Sequence, residues 1–308
     1  MLLDASVRVR VPATSANLGP GFDALGLALS LHDVVTARVI ERGVQVEVRG
    51  EASAEVARDE SHLVVATMRR TFDELAVPQP GLALDCANSI PHARGLGSSA
   101  AAIVAGVLLA RALVADGRQR LPDADALSLA ASIEGHPDNV APCLLGGLTI
   151  AWGDAAGGFR AIRREVDPAV VPVALIAPFA ASTVVARELL PATVPHADAA
   201  FTAGRAALLV AALTATPQAL VDATQDRLHQ TYREPAMPQA IALVEALRAR
   251  DHAAVVSGAG PTVLVLARGQ VEAESVVATA PTGWRAQLLS VDARGAVVES
   301  AAAGVTQP

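Results

Sequence analysis

Residues 7–11 alternate apolar side chains with Arg, the period-two pattern of a half-buried strand, and Pro12 is expected to end it. A loop rich in Gly, Asn and Pro follows, over residues 13–21. Residues 34–40 and 44–48 read as two strands joined as a hairpin through Glu41-Arg42-Gly43. Helical spacing covers residues 61–75, and residues 82–86 form another short strand. From Pro91 a Gly-rich turn runs into an almost uniformly apolar helix ending near Ala115; a helix apolar on every side belongs in a core. A further helix spans 123–133, stopping near Gly135, and strand character resumes over 148–152.

Residues 153–168 read as a boundary, with Gly157-Gly158 and mixed charges. Beyond them come a strand at 171–177, an Ala-rich helix at 199–213, a helix start at Thr216-Pro217 and a helix from Pro238 to about Asp251. Strands at 255–257 and 262–267 flank Gly258-Ala259-Gly260-Pro261. Hairpins and helices mix without strict βαβ alternation, which predicts an α+β protein of two domains.

Composition narrows the chemistry. Hydrophobic residues make up 52% of the 308 and charged ones 18%, so the chain can build a packed core. Aromatics are only 3%, leaving that core to Ala, Val and Leu. A net charge of −7 argues against broad nucleic-acid binding. All 24 basic residues are Arg and none is Lys. That excludes a Schiff-base lysine, a Walker A loop and a protein-kinase site with its strand lysine. Cys86 and Cys143 make neither a disulfide scaffold nor a Cys-rich zinc site. Residues 1–10 lack a signal-peptide pattern, and the apolar run 100–110 is too short for a bilayer, so no membrane partner and a cytoplasmic location are expected.

Three Gly-rich loops carry candidate chemistry. In Pro91-His-Ala-Arg-Gly-Leu-Gly-Ser-Ser-Ala-Ala101, glycines precede a helix start, where free N–H groups and the helix dipole can hold phosphate without any Lys; an ordinary turn capping a buried helix has the same composition. Pro12-Ala-Thr-Ser-Ala-Asn-Leu-Gly-Pro-Gly-Phe-Asp23 presents Asn17 and Asp23, which can read a polar ligand or bond their own backbone. Val256-Ser-Gly-Ala-Gly-Pro-Thr-Val263 is a tight hairpin whose N–H groups can also form an anion nest.

Taken together and in this order, the three loops resemble the signature motifs of the GHMP kinases, over nearly the whole chain. Within that family the chain is similar to the homoserine kinases, through residues 12–23, Glu134-Gly-His-Pro-Asp-Asn-Val-Ala-Pro142 with Gly146-Gly147, Ser182-Thr-Val-Val-Ala-Arg187 and Asp226-Arg-Leu-His-Gln-Thr-Tyr-Arg233. The resemblance implies an N-terminal nucleotide-binding domain (residues 1–155) like ribosomal protein S5 domain 2 and a C-terminal ferredoxin-like domain (156–308). It implies phosphorylation of the side-chain hydroxyl of L-homoserine by ATP with Mg²⁺, on the route to threonine, by a homodimer. The nucleotide falls to Pro91, His92, Ala93, Arg94, Gly95, Leu96, Gly97, Ser98, Ser99, Ala100 and Ala101, and Mg²⁺ to Glu134 with Ser98 or Ser99. The homoserine carboxylate is expected on Arg187 and Arg233 and its ammonium on Asp23, with Asn17, His136 and Asn139 adding hydrogen bonds and Asp138 beside them. Asn139 and Thr183 are expected to place the hydroxyl for direct attack, with Arg187 near the reacting end and no strong protein base.

Overall fold

The computed structural model describes residues 1–300. Strand β1 (Ser6–Ala16) starts a sheet, running past Pro12 with a register shift between Pro12 and Ala13. The expected stop is therefore a kink: proline lacks a ladder N–H, and an irregularity there lets the strand continue. The long β2 (Leu25–Ile40) pairs with β1 antiparallel. The expected hairpin with β3 (Val44–Gly50) does not form. Helix α1 (Leu63–Glu74) follows β3, and β4 (Gly81–Asn88) then lodges between β2 and β3, antiparallel to the first and parallel to the second. The segment β3-α1-β4 is a parallel crossover, which needs a helix-length connection and so separates strands that are neighbours in sequence.

Helix α2 (Ser98–Ala112) lies at the centre, buried at every position from Ala100 to Arg111 except Ala102, as its uniform apolarity predicts. It packs on α1, on α4 (Asp123–Glu134), which follows the single turn α3 (Gly117–Arg120), and on α5 (Val140–Leu145). Strand β5 (Leu148–Gly153) pairs with the N-terminal part of β2, and β6 (Phe159–Arg164) pairs with β5. The segment expected as a boundary thus holds a strand of the first sheet, and residues 155 and 156 fall within the β5–β6 hairpin.

The second sheet starts at β7 (Val170–Ile176). After it come α6 (Thr183–Glu188), α7 (His196–Thr214), a 3₁₀ turn at Pro217–Ala219 with one-turn α8 (Leu220–Ala223), and a second 3₁₀ segment at Thr231–Ala236. The start predicted at Thr216-Pro217 thus yields only about two short turns. Helix α7 has the length and apolarity of a membrane span, but buries Leu209, Ala212 and Leu213 in the core shared with β9. Helix α9 (Pro238–Arg248), strands β8 (Ala254–Val256) and β9 (Val263–Arg268), helix α10 (Gln270–Ala278) and strand β10 (Arg285–Leu288) complete the layer. Its order, β10-β7-β9-β8, is that of a ferredoxin-like split βαβ sheet, as expected.

The chain then returns to the first sheet, where β11 (Val297–Ser300) pairs with the outer edge of β1. Asp292 fastens this return. Its Oδ2 lies 2.6 Å from His32 Nε2, and its Oδ1 accepts the N–H groups of Arg294 and Gly295. Its backbone carbonyl accepts from Gly147 N. Gly146 admits this strap, since a Cβ there would strike backbone of Ala293 and Gly295. Burial pushes the Asp292 carboxyl up, but the bonds from His32 and from the Gly295 and Arg294 N–H groups outweigh it and hold it at about 2.

A carboxyl depressed in the fold stabilises it above its unfolded pKa and loses that contribution as pH falls through the folded value. Asp292→Asn is therefore expected to cost about 2 kcal/mol at neutral pH. Paired melts should show the gap from the parent chain constant above about pH 4 and closing toward about pH 2. A pH-independent gap would deny the carboxylate this role.

Candidate active site

The three Gly-rich loops meet. The Ser257 hydroxyl, after β8, lies 2.8 Å from Ser15 Oγ at the end of β1 and donates to the carbonyl of Gly95 before α2 (2.6 Å). Gly258 N–H donates to Ala16 O, and Thr262 N–H to Arg94 O. Gly95 stands at φ +76, and a Cβ there would strike Ser257 O, so only glycine lets these backbones approach.

The resulting cleft of about 270 Å³ is lined by Asn17, Asp23, Ser98, Ser99, Glu134, His136, Asp138, Asn139, Arg187 and Arg233, together with Gly95, Gly97 and Gly258. Residues from six sequence-distant motifs are thereby brought to one place. Helix α2 has no side-chain cap, so the N–H groups of Ser98, Ser99 and Ala100 keep their valence for an anion. The rest of the expected nucleotide segment divides. Leu96, Ala100 and Ala101 are buried behind the loop, while Pro91, His92 and Arg94 border a neighbouring polar cavity. Arg94 is spent on the carbonyls of Ala177 and His92. Thr183 opens α6, and its side chain lies outside the described part of the structure.

The acidic end of the cleft holds Glu134, the last residue of α4, whose Oε2 accepts from Ser99 Oγ at 2.7 Å. Burial pushes its carboxyl pKa up, against the pull of that hydroxyl. Among the described residues it has no cationic partner within ion-pair distance. A half-buried carboxylate beside hydroxyls is a hard-oxygen donor set short of positive charge, which fits Mg²⁺. Next to it, His136 Nδ1 lies 2.6 Å from Asp138 Oδ1, and this bond raises the imidazole pKa, so His136 holds its proton longer than a free histidine. Thr14 Oγ1 donates to Asn139 Oδ1 at 2.8 Å, which leaves the Asn139 amide to donate into the cleft.

The opposite end is cationic. Arg233 is 2% exposed, not the surface ion pair its residue type alone suggests. Its Nη1 donates to Gly258 O, which also accepts from Asn17, and its Nε is buried without a partner among the described residues. Asp226 builds the turn that presents it, accepting N–H from Leu228, His229 and Gln230. Burial lowers the Arg233 pKa, with the like charge of Arg187 adding to it. Arg187 makes two bonds to Asp23, at 2.9 and 2.8 Å. The expected carboxylate and ammonium partners thus hold one another. Phe22 lies beneath both guanidiniums, 5.5 and 5.7 Å from its ring centre, a contact the sequence does not signal.

A second, largely apolar cavity of about 340 Å³ opens beside Ser98 and Ser99, lined also by His92, Ala93 and Ala101 of the expected nucleotide segment and walled by Val56, Val64 and Ala102, with Asp33, His62 and Asn88 among its polar members. Asp33, His62 and Asn88 were not singled out in the sequence. Asp33 supports the loop entry, its Oδ1 accepting N–H from Ser89 and Ile90. Burial lowers the His62 pKa, and its Nδ1 has no partner among the described residues.

The family model described as GHMP kinases N terminal domain matches residues 62–147, and that described as GHMP kinases C terminal matches residues 207–286. The chain is 56% identical over 294 residues to the homoserine kinase of Streptomyces avermitilis, covering 96% of each. It is 53% identical to that of Clavibacter michiganensis, covering 95% of this chain and 94% of the relative. Among solved structures, the homoserine kinase of Cytophaga hutchinsonii superposes with a TM-score of 0.84 at 26% identity, over 97% of this chain and 98% of the other. The mevalonate kinase of L. major shares the fold at 14% identity and a TM-score of 0.68, over 94% of this chain and 98% of the other.

Gly97, at φ +70, would direct a Cβ into the Thr14 side chain that holds Asn139. Gly97→Ala is expected to cost about 1–2 kcal/mol of stability through its left-handed backbone. It should also weaken ATP binding severalfold in calorimetry, since the anion-binding helix start shifts with it. Unchanged ATP affinity would show that this loop does not touch the phosphates.

Proposed function

The chain belongs to the GHMP kinase family, and from that membership we propose that it is a homoserine kinase, transferring the γ-phosphoryl of ATP to the side-chain hydroxyl of L-homoserine. One observation carries the reading. A single cleft joins an uncapped helix start beside Ser99 and Glu134 to a cluster of Asp23, Arg187 and Arg233, which suits a triphosphate at one end and an amino-acid head group at the other.

The apolar cavity beside Ser98 and Ser99 suits the nucleoside, leaving the phosphates along the N–H groups of α2. With no Lys in the chain, backbone N–H groups and Arg must supply the positive potential. Glu134 with Ser98 or Ser99 would hold Mg²⁺. The metal, when bound, offsets the charge that builds on the transferring phosphoryl group. At the other end Asp23 takes the ammonium, while Arg187 and Arg233 take the carboxylate in the planar geometry guanidinium favours. Asn17 shapes this end indirectly, its Oδ1 accepting the N–H of Asp23 at 2.9 Å.

The hydroxyl then lies toward Asn139, whose free amide group donates and takes no proton. The bond to Asp138 raises the His136 pKa, which favours His136 as a donor over a base. The residues around the hydroxyl therefore position it instead of deprotonating it strongly. A loose transition state, in which bond breaking leads, tolerates this because the alcohol proton need not leave early. The family resemblance also supports a cytoplasmic homodimer acting on the route to threonine; sedimentation of the purified chain measures the oligomeric part.

An ADP-release assay across L-homoserine, L-serine, mevalonate and galactose tests the assignment. Homoserine should be preferred over serine by roughly 10²-fold or more, since one missing methylene displaces the oxygen from line by about 1 Å. Equal turnover of mevalonate or galactose would overturn it. Glu134→Gln keeps the shape and removes the charge, and is expected to lower kcat by about 10²-fold, partly restored at high Mg²⁺. Near-normal turnover would remove Glu134 from the metal.

A further inference from the structure

The two groups assigned to opposite charges of the substrate are bonded to each other. Arg187 reaches from α6 across to the loop after β1 and binds both oxygens of Asp23. Neither is a fixed feature of the core, the Arg187 and Asp23 side chains being 44% and 35% exposed. Arg233, by contrast, is enclosed and tied to Gly258 O, with a buried Nε that has no partner among the described residues. The cationic end is thus a fixed arginine with spare donor capacity and a half-exposed arginine whose capacity is taken by Asp23.

We propose that this ion pair is a zwitterion gate: the substrate enters by exchanging its ammonium and carboxylate for the two halves of the Asp23–Arg187 pair, so both charges must arrive on one molecule. The proposal rests on the head-group reading above and adds a condition to it. A zwitterion breaks one pair and makes two, its ammonium on Asp23 and its carboxylate on Arg187 and Arg233. An amine that takes Asp23, or an acid that takes Arg187, breaks the same pair, makes one, and leaves the other protein charge without a partner; an acid that leaves the pair intact has Arg233 alone. Losing a charged contact while stranding its partner costs more than the contact itself contributes. The pair therefore selects α-amino acids as a class over alcohols that carry an acid or an amine alone.

The backbone allows the exchange without unfolding the loop. Asp23 stands at φ +54 and is pinned through its own N–H by Asn17 Oδ1, so the backbone that presents its carboxylate stays in place when Arg187 leaves. Arg187 keeps the Phe22 ring, 5.5 Å away, as a neighbour while its partner changes.

The gate makes a crossed prediction that plain head-group recognition does not. Two half-substrates, 4-hydroxybutanoate (no ammonium) and 3-aminopropan-1-ol (no carboxylate), are measured as competitive inhibitors against L-homoserine in the full-length chain. In Asp23→Asn, Arg187 is released, and 4-hydroxybutanoate should inhibit about five- to tenfold more tightly than in the parent. In Arg187→Gln, Asp23 is released, and 3-aminopropan-1-ol should gain by a similar factor. Both variants should raise the homoserine KM. If neither half-substrate gains, or neither inhibits at any attainable concentration, while the homoserine KM rises in both, the gate is wrong and the head-group reading stands. If the homoserine KM is normal in both, the head-group reading fails and the gate with it. Asn tolerates the left-handed backbone at 23, and thermal melts of each variant confirm folding; should one fail to fold, the mirror measurement in the other decides.

Discussion

The cleft exists because three loops from separate strands touch through backbone atoms. Ser257 is the keystone: buried, its hydroxyl lies against Ser15 and donates to the Gly95 carbonyl, tying the hairpin of the second sheet to the strand and helix start of the first. Glycine at 95 is required because a side chain would occupy the space of that carbonyl contact. Several ligand-facing groups take their position from this junction. Arg233 and Asn17 converge on Gly258 O, and the start of α2 is set by where Gly95 and Gly97 are held.

A second support comes from behind. Asp138 and Asn139 immediately precede α5, and their place depends on Gly26, whose lack of a Cβ makes room for the Asp138 carbonyl, and on Thr14, which orients the Asn139 amide. At the other end of the same short helix, Gly146 and Gly147 receive the returning strap at Ala293 and Asp292. The double glycine is therefore a docking surface for the chain's own distal segment, one helix removed from the cleft.

The local elements were legible where burial is one-sided or complete. The apolar run of α2, the spacing of α1 and the Gly135 that closes α4 in the left-handed conformation all follow from short-range rules. What escaped was set at long range. Residues 40 and 44 look like a hairpin because the turn is tight, and only the packing of α1 on α2 explains why β4 sits between their strands. Asp33, His62 and Asn88 share a cavity from three elements and carry no common motif. Arg233 looks like any exposed arginine until Asp226, 7 positions before it, is seen turning the chain inward. The mutual pairing of Asp23 and Arg187 could not be inferred from either motif, since each was read for the ligand it would meet and not for its state without one.

The pairing of β11 with β1 has a consequence for how this protein is made. During synthesis the first sheet's starting strand emerges early and its edge partner emerges last, so the N-terminal layer waits with an open strand edge while the whole second layer is produced. An open edge is a template for pairing with other chains. Arg8 and Arg10 lie on that strand, and Arg10 later faces Asp292 at 3.6 Å. Until the strap arrives, those arginines have no counter-charge there and repel a second copy of the same edge. The arginines that meet Glu299 and Asp292 in the finished arm are thus also the charge this edge carries until the arm covers it.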